Sequence, residues 1–299
     1  MMEIKLFDKI IRKNSSDNFL ILEAGTNHYE LGDFLGISHV DAAKKMIDAA
    51  ATTGADAIKF QTYKADTLIQ RTSPDYNYFL RHSTMRYSDY IDLIKYARKK
   101  KIHFMTTLFD IEGIEMFGDK LEVFKIASPD ITCEILLKRI NEFKKPVLLS
   151  IGASNIDEVP LALRWLEDCP VVIMYCKAIY PLPANKHNLG AIKTLNEIFP
   201  NNVIGFSTHG EASWLIPALH MGANILEIHF KTTDVIKGND YGISINSEKA
   251  IDLKKSLNFF NVLYGSDEYP DCLKEEIPVR KNGRRKFHNI NGKYVYLRP

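Results

Sequence analysis

Eight short apolar segments recur along this chain, and stretches with helical periodicity separate most of them. The segments span 19–25, 56–62, 102–108, 122–128, 146–152, 170–176, 202–208 and 224–230. They are rich in Ile, Val, Leu and Phe, which is typical of strands buried on both faces of a parallel sheet. Eight such strands with intervening helices, in about 250 residues, predict a single (β/α)8 barrel.

An open doubly wound sheet is the alternative α/β architecture. It would normally contain fewer strands and a glycine-rich first turn, and the chain has no GxGxxG motif. We expect the barrel to occupy residues 19–265, with an N-terminal extension at 1–18 and a C-terminal tail at 266–299. The aromatic segment 63–87 is long for a connection, which predicts a lid or a binding loop.

Composition excludes several classes of protein. The net charge of +2 gives no reason to expect a nucleic-acid partner, and the densest basic run, "RKNGRRK", reads as a solvated tail. The four cysteines form no CxxC pair, so a structural zinc site is not expected. We find neither a signal-peptide pattern nor an apolar run of about 18 residues, and therefore predict a cytoplasmic protein without a membrane segment.

The active site of a (β/α)8 barrel lies at the carboxyl ends of its strands. Lys59 and Lys125 come near the ends of two predicted strands, and hydroxyl residues end others, namely Thr107, Ser128, Ser150 and Ser207. Lysines neutralise negative charge and hydroxyls donate hydrogen bonds, so this set suits a phosphate group. The alternative is a structural ion pair between a lysine and Glu23 or Asp130, since such pairs also occur outside active sites.

Two histidines lie at the ends of the seventh and eighth strands, which are neighbours in a barrel. His209 and His229 can therefore converge, and two neutral imidazoles suit Mn, Fe, Co or Zn better than Mg. Either histidine alone would be read as a hydrogen-bonded core residue, whereas the pair predicts a metal site. Tyr180, in "IYPLP", could contact a substrate or anchor a proline-rich turn.

Seven motifs, in order, resemble those of the sialic acid synthase family (N-acetylneuraminate synthase and its relatives). They are "ILEAGTNH", "GADAIKFQTYKAD", "FKIAS", "KPVLLSIGAS", "YCKAIYPLP", "IGFSTHG" and "GANILEIHF", and they cover about residues 19–260. The resemblance implies a metal-dependent barrel enzyme that condenses phosphoenolpyruvate (PEP) with the open-chain aldehyde of an N-acetylated amino sugar. Phosphate is released and a nine-carbon 2-keto acid is formed.

The resemblance also implies roles for individual residues. The PEP site would comprise Lys59, Thr107, Lys125, Ser128, Ser150 and Ser207, with the two lysines catalytic. His209 and His229 would bind the metal, for which Mn²⁺ is the first expectation. Glu23, Gln61, Tyr180 and Asp240 would face the sugar, and either Glu23 or Asp240 would handle protons.

The chain also departs from the family pattern. Pro129 and Asp130 stand where the family often has Gly-Glu, Ala178 replaces an Asn, and the segment 29–38 lengthens the first loop. Bacterial members typically carry a C-terminal antifreeze-like domain that supplies an Arg to the partner's site, and "EEIPVRKNGRRKF" resembles only the linker to it. We therefore expect no such domain in 266–299, and a homodimer or a partner synthase chain.

Two other functions stay open at this point. A metal-dependent aldolase would use the same two histidines without needing the phosphate-binding residues. A non-catalytic homologue could act as a binding or scaffold subunit of a synthase. The buried charges and ligand-type residues argue against the scaffold, since burying unpaired charge is costly and a scaffold has no need of it.

Overall fold

The computed structural model describes residues 2–236, 238, 240–265 and 271–298. It divides the chain into two compact units, Met1–Asn261 and Val262–Pro299. In the first unit, eight parallel strands close into a barrel in the order β10-β3-β4-β5-β6-β7-β8-β9. They are β3 (Phe19–Gly25), β4 (Ala57–Thr62), β5 (His103–Leu108), β6 (Phe124–Ile126), β7 (Val147–Ser150), β8 (Val171–Tyr175), β9 (Val203–Thr208) and β10 (Ala223–His229). The prediction of a (β/α)8 barrel is confirmed.

Helices follow the strands and cover the outside of the barrel. They are α1 (Asn27–Leu35), α2 (His39–Ala51), α3 (Ala65–Leu68), α4 (Tyr76–Arg81), α5 (Tyr87–Lys99), α6 (Ile111–Phe117), α7 (Glu134–Asn141), α8 (Glu158–Trp165), α9 (Ala191–Ile198), α10 (Leu215–His220) and α11 (Ser247–Tyr264). Helix α2 begins after Ser38, whose hydroxyl accepts a hydrogen bond from the Asp41 N–H, as an N-cap does.

The N-terminal extension forms a hairpin that closes the amino end of the barrel. Its strands are β1 (Glu3–Leu6) and β2 (Lys9–Arg12), paired antiparallel. Ile4, Leu6 and Ile11 are buried in one apolar cluster with residues from the first halves of the barrel strands, such as Phe19 and Met105. Because this end is plugged, a solvent-accessible cavity inside the barrel has to open at the other end.

We expect Leu6→Ala to lower the free energy of unfolding by about 2–5 kcal/mol, because it leaves a cavity in a fully buried cluster. Urea denaturation followed by circular dichroism measures this. Ile10→Ala, in the same hairpin but 49% exposed, is the matched control and should change it by less than about 1 kcal/mol. Equal effects of the two substitutions would contradict the conclusion that this hairpin closes the amino end of the barrel.

The two long connections near the start of the barrel contain helices. The segment 29–38, expected to lengthen a loop, lies largely in α1, and the segment 63–87 contains α3 and α4. The second segment is held against α1, since the Met85 N–H donates to Tyr29 Oη at 3.2 Å and His82 Nε2 lies 2.8 Å from Glu30 Oε1. Segment 63–87 is thereby positioned beside the carboxyl end of β4.

The second unit contains α12 (Ile277–Gly283) and a hairpin of β11 (Lys286–Ile290) and β12 (Lys293–Leu297). The hairpin strands pair antiparallel, and the rings of Phe287 and Tyr294 stack with centroids 4.8 Å apart. Across the described residues of both units, we find no helix with the length and hydrophobicity needed to cross a membrane.

Candidate active site

A cavity of about 630 Å³ opens at the carboxyl ends of the barrel strands. Every site residue predicted from the sequence lines it: Glu23, Lys59, Gln61, Thr107, Lys125, Ser128, Ser150, Tyr180, Ser207, His209, His229 and Asp240. They converge because alternate residues of a strand share one side, and the barrel turns those sides inward. The structure therefore brings the whole predicted set together around one cavity.

Lys59 lies at the centre of a buried ionic cluster. Its Nζ is 2.5 Å from Glu23 Oε2 and 3.7 Å from Glu227 Oε1, and it donates to Thr107 Oγ1 at 3.3 Å. Burial lowers the pKa of Lys59, but the two carboxylates raise it by more, so the lysine stays a cation. The ion pair with Glu23 that the sequence offered as an alternative is present, and it lies in the cavity.

The pKa values of the two carboxyl groups that share Lys59 are shifted in opposite directions. Burial raises the pKa of Glu23, and the nearby Glu227 raises it further, against the attraction of Lys59. Burial by itself would also raise the pKa of Glu227, but the attraction of Lys59 and Lys125 outweighs it and lowers this pKa to about 2. The pKa of Glu227 is therefore the lower of the two, and Glu23 is the carboxyl group better suited to exchange a proton.

Lys125 differs from Lys59 because it forms no ion pair with a carboxylate in the described part of the chain. Its Nζ donates to Ser150 Oγ at 2.6 Å and to the Ile126 carbonyl at 3.2 Å. Burial lowers its pKa. Asp130, the other partner considered from the sequence, makes no salt bridge with it, although burial raises the Asp130 pKa to about 6 against the attraction of Lys125. Lys125 is thus a buried cation suited to an incoming anion.

Hydroxyl groups surround the lysines at the neighbouring strand ends. Ser128 Oγ accepts from the Gly152 N–H at 3.0 Å, and Ser207 Oγ donates to Glu227 Oε1 at 3.1 Å. A Cβ at position 152 would be 2.7 Å from Ser128 Oγ and 2.9 Å from Cys176 Sγ. The glycine of "SIGAS" is therefore required for β7 and its neighbours to approach this closely.

The two predicted metal ligands face each other across adjacent strands. The ring centroids of His209 and His229 are 5.4 Å apart, and the Tyr180 ring lies 3.9 Å from that of His209. Burial lowers the pKa of His209 to about 4, with His229 adding to the effect. Its Nδ1 lies 3.0 Å from the Lys177 carbonyl, which assigns the proton to Nδ1 and the lone pair to Nε2.

These imidazoles fit a divalent metal. His229 Nδ1 is buried without a hydrogen-bond partner in the described residues and lies 3.8 Å from Asp240 Oδ2. The described residues contain no group of three or more His, Cys, Asp and Glu side chains that could hold a metal by itself. A metal held by these two imidazoles would thus need water or substrate oxygens to complete its coordination, as in catalytic rather than structural sites.

Three of the four residues expected to face a sugar, Glu23, Gln61 and Asp240, lie together at one side of the cavity, whereas Tyr180 lies against His209. Gln61 Nε2 donates to Glu23 Oε1 at 3.1 Å. Gly25, at a positive φ of 52°, leaves room for Asp240, whose Oδ2 would be 3.2 Å from a Cβ at this position. Glycine is favoured at this strand end for its backbone conformation and for the close approach.

The cavity is also lined by residues to which the sequence analysis assigned no role, including Thr26, Tyr63, Phe79, Phe109 and Glu227. Glu227 precedes His229 by two residues on β10, and Tyr63 follows Gln61 by two, so strand alternation could have identified both. Phe79 and Phe109 come from connections, where no periodic signal exists.

The fold and this cavity define a (β/α)8 barrel with buried charges and a facing pair of imidazoles at the carboxyl ends of its strands. A family model described as the NeuB family matches residues 46–269. The chain belongs to the NeuB family, and it is an enzyme of the sialic acid synthase type.

Several known proteins are similar to this chain. An N,N'-diacetyllegionaminic acid synthase of Legionella pneumophila is 31% identical over 300 residues, which cover 92% of this chain and 81% of that protein. The mouse N-acetylneuraminate-9-phosphate synthase is 26% identical, covering 83% of this chain and 71% of its own length. The structure of an N-acetylneuraminic acid synthetase from Leptospira borgpetersenii has a TM-score of 0.84 at 28% identity, covering 94% of this chain and 96% of that one.

Proposed function

We propose that this enzyme condenses PEP with the open-chain aldehyde of an amino sugar, N-acetylmannosamine or a relative. The products are a 2-keto-3-deoxy nonulosonic acid and inorganic phosphate. One observation carries the proposal: two buried lysines, with hydroxyl donors beside them, share a cavity with a facing pair of histidines. An aldolase that did not bind PEP would have no use for Lys125, which has no carboxylate partner in the described residues.

The charges of the cavity support a bound divalent cation, and we propose Mn²⁺. Two lysines face three carboxylates there, those of Glu23, Glu227 and Asp240. PEP adds further negative charge, so the described lining cannot neutralise it alone. His209 and His229 would hold the cation, which supplies Lewis-acid polarisation of the aldehyde oxygen when bound.

The residues of the chain have defined tasks in this reaction. Lys125, with Ser150 and Ser128 next to it, binds the phosphate and carboxylate of PEP and orients its C3 towards the aldehyde carbon. A C–C bond forms there, water adds to C2 of PEP, and breaking the C2–O bond of the tetrahedral intermediate releases phosphate. Glu23 moves protons between the attacking water and the sugar oxygen, because burial has raised its pKa.

The direct test is phosphate release from PEP with Mn²⁺, across aldehyde sugars that include N-acetylmannosamine and its deoxy, diamino and phosphorylated relatives. Release that depends on one sugar is the expected result. Carbon–carbon bond cleavage or formation without phosphate release would favour an aldolase. Binding to a second synthase without turnover would favour the scaffold. Assembly as a homodimer or with a partner synthase chain stays a prediction, which sedimentation analysis would test.

We expect His209→Ala to weaken Mn²⁺ binding by at least about 10-fold, because it removes one of two imidazole ligands. Electron paramagnetic resonance of free Mn²⁺ measures this without needing turnover. His220→Ala, a substitution of an exposed histidine on α10, is the control and should leave binding unchanged. An unchanged affinity of His209→Ala for Mn²⁺ would refute the proposed metal site. It would not affect the proposed binding of PEP by the lysines.

A further inference from the structure

We infer that this enzyme takes acceptor sugars whose outer end is uncharged, and that it discriminates against acceptors phosphorylated at carbon 6. The inference rests on the proposed function and names the acceptor class of the same site. It comes from an aromatic wall, formed by Tyr63, Phe79 and Phe109, that lines one side of the cavity. The Tyr63 ring lies 5.6 Å from that of Phe79 and 5.8 Å from that of Phe109, both edge-on.

The aromatic wall lies where the far end of an acceptor would reach. Lys59, Gln61 and Tyr63 occupy every second position along the chain, so their side chains point to the same side of β4 and its extension. Each of these residues lies about 6–7 Å closer to the mouth of the cavity than the one before it. The reacting aldehyde has to lie near the lysines and histidines of the floor. A six-carbon chain that starts there passes Gln61 and ends beside Tyr63.

Segment 63–87 supplies two of the three wall residues and is held in place by α1. His82, which follows α4 directly, contacts Glu30 Oε1 through Nε2 at 2.8 Å and the Tyr78 carbonyl through Nδ1 at 2.7 Å. Phe79 lies in the last turns of α4. The aromatic wall is therefore a positioned surface with rings fixed by neighbouring contacts.

The surroundings of the aromatic wall oppose an anion. Burial raises the pKa of Tyr63, and the nearby Glu30 and Asp240 add negative potential. The lysines that line the cavity, within the described residues, are Lys59 and Lys125 at the floor. Lys64 pairs instead with Glu112 and Arg71 with Asp66. A phosphate dianion at the wall would thus lose its hydration and meet carboxylates.

A neutral polar group fits the same position. The Tyr63 hydroxyl is buried and has no hydrogen-bond partner among the described residues. A hydroxyl or acylamino group of the acceptor would satisfy it, while the rings of Phe79 and Phe109 pack against the C–H faces of the sugar. The chemistry of the wall therefore matches an uncharged sugar end.

The experiment compares matched acceptors that differ only at carbon 6. We would measure calorimetric dissociation constants for the 6-hydroxy, 6-deoxy and 6-phosphate forms of N-acetylmannosamine and N-acetylglucosamine, with Mn²⁺ present, and phosphate release from PEP with each. The 6-phosphate is expected to bind weakest, by on the order of 100-fold relative to the better uncharged form. Equal or tighter binding of a 6-phosphate would overturn the inference, as would failure of every uncharged form to bind.

A substitution in the aromatic wall tests the cause of the discrimination. Phe79→Lys places a cation there and should raise the affinity for the 6-phosphate at least about 10-fold. Phe79→Leu, which removes the ring without adding charge, is the matched control and should not raise it. An unchanged 6-phosphate affinity in a folded Phe79→Lys would count against the wall as the determinant.

These measurements distinguish a failure of the proposed synthase activity from a failure of the proposed acceptor class. Discrimination in binding without any phosphate release from PEP would refute the synthase and leave the acceptor class standing. Phosphate release that is fastest with a 6-phosphate would support the synthase and refute the acceptor class.

Discussion

Replacing Lys125 with methionine is expected to reduce kcat/KM for PEP by about 10²–10³-fold. The side chain is buried and its Nζ has hydrogen-bond contacts to Ser150 and a carbonyl, with no carboxylate partner in the described residues. Methionine has a similar length and no charge, so the substitution removes a cation that PEP needs without opening a large cavity. Steady-state phosphate release at varied PEP concentration measures the loss.

Lys95→Met is the control for this prediction, because Lys95 lies on α5 with its side chain 69% exposed and does not line the cavity. It should keep nearly full activity, and circular dichroism should show both variants folded. Burial lowers the pKa of Lys125, so this lysine loses its positive charge at a lower pH than an ordinary lysine does. PEP binding should therefore weaken as the pH rises through that lowered pKa. Near-normal kcat/KM in Lys125→Met would exclude it as the PEP-binding cation.

The second large effect is expected on stability. Glu227→Leu should lower the free energy of unfolding by about 3–5 kcal/mol, since it leaves the buried Lys59 with a single carboxylate and removes the acceptor of Ser207. The glutamate side chain is 7% exposed and that of Lys59 is 3% exposed, so water cannot compensate for the lost partner. Urea denaturation at neutral pH measures the change.

Glu112→Leu is the matched control for Glu227→Leu. Glu112 also pairs with a lysine, Lys64, but its side chain is 56% exposed. Surface pairs contribute about 0–1 kcal/mol, so this substitution should have little effect on unfolding. If Glu227→Leu lowered the free energy of unfolding as little as the control does, the burial of Lys59 would not depend on its pairing with Glu227.

Much of the fold and of the candidate site could be predicted without coordinates. Each barrel strand is a short apolar run within a residue or two of its predicted range, because a strand buried on both faces has a local signature. The predicted polar residues all line one cavity, since the barrel makes every strand end a neighbour of the others. His209 and His229 could be paired from their places on consecutive strands alone.

Several features could not be predicted, because they depend on contacts between residues far apart in sequence. The sharing of Lys59 by Glu23 and Glu227 depends on three strands, and the lower pKa of Glu227 depends on a second lysine, Lys125, that the closed barrel brings near it. The hairpin of residues 3–12 has a pattern of two short strands, yet its burial depends on the open end of the barrel it fills. The aromatic wall also needs Phe79 and Phe109, which come from connections that lack a periodic pattern.

The sequence by itself determined the barrel, its strand ends and the polar residues placed there, because short apolar runs and residue chemistry are local properties of a chain. Only the tertiary structure decided which lysine is left for an anion, which carboxylate stays ionised and what faces the outer end of the acceptor. Protonation and selectivity arise from distances and burial among side chains up to about 200 positions apart, as between Glu23 and Glu227. These distances exist only once the barrel has closed.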